Sequence, residues 1–314
     1  MHQSNWKIGL PLALITAFMW GLLPIALKGL LDTISATTAT WYRFVGAALL
    51  AGGYYGWSRR LNLRQLFGRT LLPFTLLAVG GLLTNYLTYA TGLNYITAGA
   101  SQIVIQLAPL MLLVSSVLWL GEDFSPRQWL GVIMVASGLP LFFNQRLPQL
   151  LSGAGGDYLL GLGFVLVAAI GWAVYGYNQK KILRHAASQH LLVLIYITGT
   201  LCFLPMADPL SVTRLNGLGW TLLVFLTANT LIAYGAFSKA LANWEASRVS
   251  ATLALVPLIT LALGALIGTL WPGYIEVEPL NWISWLGAAA VACGSLLAAV
   301  GKGQRRHSDQ GTSD

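Results

Sequence analysis

Neutral polar and aromatic side chains lie inside the long apolar runs of this chain, at spacings that put them on common helical faces. Tyr89 falls four residues after Asn85 and three after Tyr86, and Gln106 falls four residues after Gln102 in the next run. Residues at these separations are neighbours on a helix surface. Together such groups make the aromatic walls and hydrogen-bonding points of a small-molecule site. Each one alone has an alternative role, as a hydrogen bond between helices.

Tryptophan placement adds to this set. Ten of the twelve tryptophans lie near the ends of apolar runs, which is typical of residues at a membrane–water interface. Trp20 and Trp172 lie deep inside their runs, and a buried indole N–H needs an acceptor. They either line a site or pack in a core. The predicted substrate-binding residues are Trp20, Tyr86, Tyr89, Gln102, Gln106, Trp172, Tyr175, Asn229 and Tyr234.

The apolar runs hold no Asp, Glu or His near their centres. An intramembrane enzyme would need such an acid, base or nucleophile pair, so an enzyme is excluded. Exchange of protons for an organic cation normally needs a buried carboxylate, which favours a neutral, zwitterionic or anionic ligand. Cys202 and Cys293 stand alone and match no metal or disulfide spacing. We expect no metal and no cofactor.

The cations within reach of such a cavity are Lys28, Arg43 and Lys239, of which Lys28 and Arg43 are possible anion contacts. The alternative for Lys28 is snorkelling, in which its charged head reaches water from the end of a run. The alternative for Arg43 is an ion pair with Asp32.

The elements that must position these residues are transmembrane helices. Of 314 residues, 56% are hydrophobic and 9% charged, whereas soluble domains carry about 25% charged residues. Crossing a bilayer takes about 20 apolar residues, and ten windows qualify. We therefore predict an all-α membrane protein with ten transmembrane helices, at roughly 9–30, 36–57, 71–92, 98–120, 127–145, 158–179, 190–208, 217–239, 247–270 and 281–301.

The distribution of Lys and Arg predicts the orientation. With the N-terminus in the cytoplasm, 14 of the 18 basic residues fall on the cytoplasmic side, as the positive-inside rule requires. Both termini are then cytoplasmic, in a multi-pass membrane protein. The basic residues are dispersed between apolar spans, so we expect no nucleic-acid partner. The partners we expect are the lipid bilayer and a small-molecule substrate, with the chain a monomer or, alternatively, a dimer.

Three features recur along the chain in the same order. Each recurs at a similar offset, of 152, 148 or 156 residues. We predict helix hinges at Pro109 and Pro257, and close helix packing at Gly131, Gly138, Gly287 and Gly294. The recurring features are Trp20 with Lys28 and Trp172 with Lys180, then Pro109 and Pro257, then Gly131 with Gly138 and Gly287 with Gly294.

Five helices per copy is an odd number, so the second copy enters the membrane from the opposite side. Inverted repeats of this kind are typical of secondary transporters, whose substrate site lies between the halves near the midplane. The predicted segments are a cytoplasmic N-terminus at 1–8, repeats at 9–145 and 158–301, a periplasmic linker at 146–157 and a cytoplasmic tail at 302–314.

Nearly the whole chain resembles the drug/metabolite transporter superfamily, specifically its ten-helix EamA family. The likeness rests on ALITAFMWGLLPIALK (Ala13 to Lys28), on YATGLNYITAGASQIVIQLAPLMLLVSSVLWLGEDFSPRQWLGVIMVASG (Tyr89 to Gly138) and on ALANWEASRVSATLALVPLITLALGALIG (Ala240 to Gly268). The first copy has Leu120-Gly121-Glu122 at the end of its fourth helix. The second copy departs from this pattern, because TLWPGYIEVEPLNW intervenes and places Glu276 and Glu278 in a longer loop.

The resemblance implies an inner-membrane carrier, often an exporter of amino acids or other metabolites. Its cavity would be lined mainly by helices 1, 3, 4, 6, 8 and 9. We expect export of an aromatic or polar neutral amino acid by alternating access, and we expect Trp20→Ala or Gln106→Ala to abolish transport. The alternatives are a multidrug carrier, a carrier of nucleotide-linked or lipid-linked metabolites, and a sensor that shares the fold without moving a substrate.

Overall fold

The structure, a computed structural model, describes residues 6–59, 61–111, 125–151, 155–244, 249, 252–274, 276–278 and 280–300. These residues form eleven α-helices and no strand, which confirms the predicted all-α class. The helices are α1 (Trp6–Leu31), α2 (Ala36–Trp57), α3 (Leu72–Gly92), α4 (Ala98–Ile105), α5 (Pro126–Phe142), α6 (Leu147–Leu151), α7 (Gly156–Ile182), α8 (Ser188–Phe203), α9 (Gly217–Asn243), α10 (Val256–Leu270) and α11 (Trp282–Val300). The predicted tail 302–314, most of segment 1–8 and the Leu120-Gly121-Glu122 motif lie outside the described residues.

Four of the described helices are long and apolar enough to cross a membrane, as expected of a multi-pass membrane protein. They are α1, α7, residues Ser188–Met206 and residues Gly217–Phe237 of α9. Three further apolar helices are shorter: Ala98–Met111, Val256–Leu270 and Trp282–Ala298. The predicted ten continuous spans therefore do not all appear as continuous apolar helices within the described residues.

Two of the predicted spans are broken just before a proline. In the first, α4 ends at Ile105, the Gln106 N–H bonds to Ile103 O at 3.3 Å, and the helix resumes at 107. In the second, the Leu255 N–H bonds to Thr252 O at 3.2 Å immediately before α10. Proline lacks an N–H and clashes with the turn before it, so Pro109 and Pro257 account for the two breaks. Movement at these breaks stays a prediction.

Backbone contact between glycines brings helices close in two places. On α5 and α11, a Cβ added at Gly131 would lie 2.5 Å from Gly294 O, and one at Gly138 would lie 2.8 Å from Gly287 O. On α3 and α7, a Cβ on either Gly81 or Gly171 would lie 2.6 Å from the carbonyl oxygen of the other. These two helix pairs and the α1/α9 pair are the most extensive contacts between described helices. The α3/α7 glycines were not anticipated from the sequence.

We predict that Gly131→Ala destabilises the protein, because its new methyl group would meet backbone atoms of α11 that have no freedom to move aside. The expected loss is about 1–3 kcal/mol in the free energy of unfolding, measured by thermal unfolding of detergent-purified protein. Gly163→Ala on α7 is the matched control, since a Cβ there meets nothing within 4 Å and alanine favours helix. Equal stability of the two variants would contradict close packing at Gly131.

Candidate functional site

Three consecutive backbone carbonyls in the middle of α1 accept hydrogen bonds from side chains of three other helices. These bonds tie the centre of α1 to α9, α4 and α10. The donors are Asn229 Nδ2 to Met19 O, Gln102 Nε2 to Trp20 O at 2.9 Å and Thr260 Oγ1 to Gly21 O at 2.7 Å.

Pro24 explains why the Trp20 carbonyl is available. In a regular helix the carbonyl of residue 20 accepts from the N–H of residue 24, and proline has none. Pro24 is buried inside α1, where an unpaired carbonyl is costly, and the Gln102 amide replaces the missing donor. Pro24 was not predicted to have this role, although a proline inside the run WGLLPIALK was a signal in the sequence that could have indicated it.

One aromatic cluster brings together five of the nine predicted substrate-binding residues. Trp20 meets the Tyr234 ring edge-on at 5.5 Å between centroids and also packs on Phe237 at 5.5 Å. Tyr86, Tyr175 and Tyr234 are buried members of this cluster, and Trp20 and Trp172 pack against it partly exposed. Tyr196 of α8 also belongs to it. The sequence analysis missed Tyr196, because a single tyrosine in an apolar run carries no distinguishing pattern.

The remaining predicted residues make other contacts. Asn229 bonds to α1 as described above, and the Tyr89 hydroxyl shares a hydrogen bond with Ser101 Oγ at 3.1 Å. Gln106 lies at the break after α4, where its Oε1 accepts from Ser295 Oγ of α11 at 3.2 Å. Tyr89 packs in a neighbouring cluster with α4 and α5 residues, and Gln106 is turned towards α11.

The two predicted anion contacts differ in their surroundings. Lys28 Nζ donates to Leu93 O at 3.2 Å and to Ile96 O at 2.8 Å, so acceptors beyond the end of α3 already occupy it. Arg43 is buried on α2, its Nε donates to Thr230 Oγ1 at 3.2 Å, and its guanidinium lies 4.7 Å from the Tyr86 ring centroid. Arg43 forms no ion pair among the described residues, so the alternative pairing with Asp32 is not observed there.

Glu278 is the centre of a network that the sequence analysis did not foresee. Its buried carboxylate accepts from Thr97 Oγ1 at 2.6 Å, from Tyr158 Oη at 3.1 Å and from Arg146 Nε at 2.8 Å. Glu276, more exposed, lies 3.8 Å from both Lys28 and Arg146. These residues lie at one end of the bundle, where α1, α5 and α10 finish and α4 and α7 begin. We call it the Glu278 end.

Electrostatics bind the Glu278 end together. Burial alone would lower the pKa of Arg146, but its hydrogen bond to Glu278 and the adjacent negative charge outweigh burial and raise it. The Arg146 guanidinium also lies 4.5 Å from the Tyr158 ring centroid. The available sequence signal was the presence of two acids in the long loop opposite a lone arginine, but nothing in it indicated that Glu278 would be buried.

Comparison with protein families matches the two halves of the chain separately. The model of the EamA-like transporter family matches residues 7–144 and again residues 159–300. The chain belongs to the EamA-like transporter family. The resemblance inferred from the sequence is thereby confirmed, and the family and its relatives are named as transporters, not as enzymes.

Curated relatives cover nearly the whole chain. The uncharacterized inner membrane transporter YhbE of Escherichia coli K12 is 36% identical over 305 residues, which is 96% of this chain and 95% of the relative. An uncharacterized transporter of Haemophilus influenzae is 36% identical over 296 residues, 94% of this chain and 95% of its own length. A protein named probable amino-acid metabolite efflux pump, from Escherichia coli K12, is 23% identical over 308 residues, 92% of this chain and 94% of its own.

A solved crystal structure shares the fold. It covers 92% of this chain and 96% of its own, with a TM-score of 0.61 and 17% sequence identity. At that identity the likeness shows the fold alone.

We predict that Gln102→Leu destabilises the protein, because the Trp20 carbonyl then loses the donor that replaces the missing N–H of Pro24. An unsatisfied buried acceptor costs about 1–3 kcal/mol, measurable as a lower thermal unfolding midpoint in detergent. Pro24→Ala restores the intrahelical donor, so it should cost less in the Gln102→Leu background than in the wild type. Additive effects of the two substitutions would refute the link between Pro24 and Gln102.

Glu278→Gln tests the network at the Glu278 end. The substitution removes the negative charge to which Arg146 Nε donates, and a hydrogen bond to a charged group contributes about 1.5–3 kcal/mol. Glu276→Gln is the matched control. Its carboxylate is mostly exposed, and an exposed pair contributes about 1 kcal/mol or less. We expect a clear fall in the unfolding midpoint for Glu278→Gln only, and an equal fall for both would mean that burial of Glu278 does not matter.

Proposed function

We propose that this protein is an inner-membrane secondary transporter that moves a small metabolite by alternating access between two inverted five-helix halves. One observation carries the proposal: the aromatic cluster of Trp20, Tyr86, Trp172, Tyr175 and Tyr234 joins α1 and α3 of the first half to α7 and α9 of the second. Clefts with aromatic walls and a few polar groups are the usual form of a small-molecule site. In inverted-repeat transporters the site lies between the halves.

The helix pairing supports the inverted repeat. The two family matches, 7–144 and 159–300, lie close to the proposed repeats at 9–145 and 158–301. An inverted repeat relates α1 to α7 and α3 to α9, so it exchanges the α1/α9 contact with the α3/α7 contact. It maps the α5/α11 and α4/α10 contacts onto themselves. All four of these contacts are present, as are the paired breaks before Pro109 and Pro257.

The Glu278 end bears on which side of the proposed carrier is closed. With both termini in the cytoplasm, this end faces the periplasm together with the linker at 146–157. All the ion pairs among the described residues lie there, while most basic residues fall at the opposite end. The network thus closes the outer side, and outward release requires that α4, α7 and the loop holding Glu278 separate.

For the substrate we propose a small metabolite such as an aromatic or polar neutral amino acid, moved outward. The support is the aromatic character of the cluster and one distant relative, which is named a probable amino-acid metabolite efflux pump. The alternatives, which the following test separates from amino-acid export, are a multidrug carrier, a carrier of nucleotide-linked or lipid-linked metabolites, and a sensor with the same fold.

The test is efflux from proteoliposomes that hold the purified full-length protein and a panel of radiolabelled L-amino acids, with and without a pH gradient. We expect at least one compound to leave faster than from protein-free liposomes. Trp20→Ala should lower that flux more than about tenfold, as for a central contact residue. Trp285→Ala, whose ring is exposed on α11, is the matched control.

Flux that is unchanged in Trp20→Ala would contradict the site assignment but leave the carrier function intact. No flux with any compound of the panel, in a protein that is properly folded, would contradict amino-acid export and favour one of the alternatives, a carrier of another substrate class or the sensor.

A further inference from the structure

Arg43 is a full positive charge buried among helices. It lies seven residues beyond the start of α2, so about 10 Å along the helix from that end, and only 3% of its surface is exposed. A charge inside the membrane is costly to keep and is by default a mark of function. Side chains that only anchor a helix end reach water, as Lys and Arg do by snorkelling, and Arg43 does not.

The protein leaves much of this charge uncompensated. Among the described residues, Arg43 has one hydrogen bond, from Nε to Thr230 Oγ1, and one ring contact, with Tyr86. Both partners are neutral, and its two terminal amino groups make no hydrogen bond to a described residue. A guanidinium presents five N–H donors in a fixed fork, so most of its donor capacity remains unused. Arg146 at the Glu278 end contrasts with it, since Glu278 and Glu276 both face that side chain.

Neighbouring polar groups are unsatisfied as well. The Tyr86 hydroxyl, whose ring lies against the guanidinium, is buried and makes no hydrogen bond of regular geometry, although the Thr230 and Tyr234 hydroxyls lie close enough to interact with it. Thr40 Oγ1, one turn before Arg43 on α2, is buried without a hydrogen-bond partner among the described residues. Asn229 Oδ1, beside Thr230 on α9, is a third such atom. Buried polar groups without partners are rare in proteins. Tyr86 contacts the guanidinium and Thr40 lies one turn away on the same helix, so these groups favour a place beside Arg43 where a polar ligand completes the hydrogen bonding.

We propose that Arg43 binds the carboxylate of the transported molecule, and that the substrate therefore carries an anionic group. This inference rests on the proposed carrier function. A carboxylate matches the free fork of the guanidinium with two parallel hydrogen bonds, and the Tyr86 hydroxyl donates to the same group. The aromatic cluster around Tyr86 and Tyr234 then receives the apolar part of the substrate. An amine alone would be repelled by Arg43, and a wholly neutral molecule would leave its charge unpaired.

The test compares acids with the amides in which a neutral carboxamide replaces the carboxylate. The pairs are phenylacetate with phenylacetamide, L-phenylalanine with L-phenylalaninamide, and acetate with acetamide. Each compound is titrated against the detergent-purified full-length protein, and the shift in the thermal unfolding midpoint is measured. We expect at least one acid to stabilise the wild type at a concentration at least about tenfold lower than its amide, the size of effect typical of a hydrogen-bonded charge pair.

Variants assign the preference to Arg43. Arg43→Gln should abolish the preference for the acid, and Arg43→Lys, which keeps the charge but loses the fork, should retain part of it. Arg214→Gln removes an equal charge from an exposed position and should leave the preference unchanged. If Arg43→Gln does not fold, the comparison of acids with amides in the wild type and in Arg43→Lys still decides.

Absence of any acid preference in the wild type would overturn the inference, and so would a preference that persists in Arg43→Gln. The flux assay separates this failure from failure of the carrier function. Transport of a neutral compound that is insensitive to Arg43→Gln would leave the carrier and overturn the anion site. Acid binding that depends on Arg43 but is never followed by flux would support the anion site and contradict the carrier function.

Discussion

A polar group inside a bilayer has no water to bond, so each must find its partner within the protein. Pro24 removes one N–H from the middle of α1 and leaves the Trp20 carbonyl in need of a donor. Gln102 supplies it from α4 at 2.9 Å, while the adjacent carbonyls of Met19 and Gly21 accept from α9 and α10. The position of Trp20 in the aromatic cluster therefore depends on hydrogen bonds to the backbone of its own helix.

The same constraint makes the two ends of the bundle unequal. At the Glu278 end, the two acids of one loop contact cations and hydroxyl groups of two helices and two linkers. Separating these elements therefore breaks the hydrogen-bonded pair of Glu278 and Arg146. The opposite end carries most of the basic residues and has no ion pair among the described residues. Like charges repel one another there, and in the proposed orientation that end is the cytoplasmic one. In an alternating-access cycle, substrate binding would have to offset the cost of opening the Glu278 end.

Local rules predicted much of this architecture. The length of the apolar runs indicated the helices, and the missing N–H of proline indicated the breaks before Pro109 and Pro257. The position of Trp20 and Trp172 deep inside their runs set them apart from the tryptophans near the run ends. Contacts between distant segments were beyond these rules. Gln106 shares a helical face with Gln102, yet the break turns it to Ser295 on α11. Glu278 looked like a loop acid, because only the assembled fold brings Arg146, Thr97 and Tyr158 around it.

Arg43 is subject to the same constraint, because it is a charged group buried among the helices. Its charge is already desolvated in the substrate-free protein, so the cost of burial belongs to the folded state and not to the binding step. A carboxylate that arrives loses its own hydration but meets donors that need no rearrangement, which is the condition under which a charge pair strengthens binding most. Under the proposed function, the occupied site pairs the charge of Arg43 and the empty site does not, and a difference of this kind between the two states is what would couple binding to a change of access.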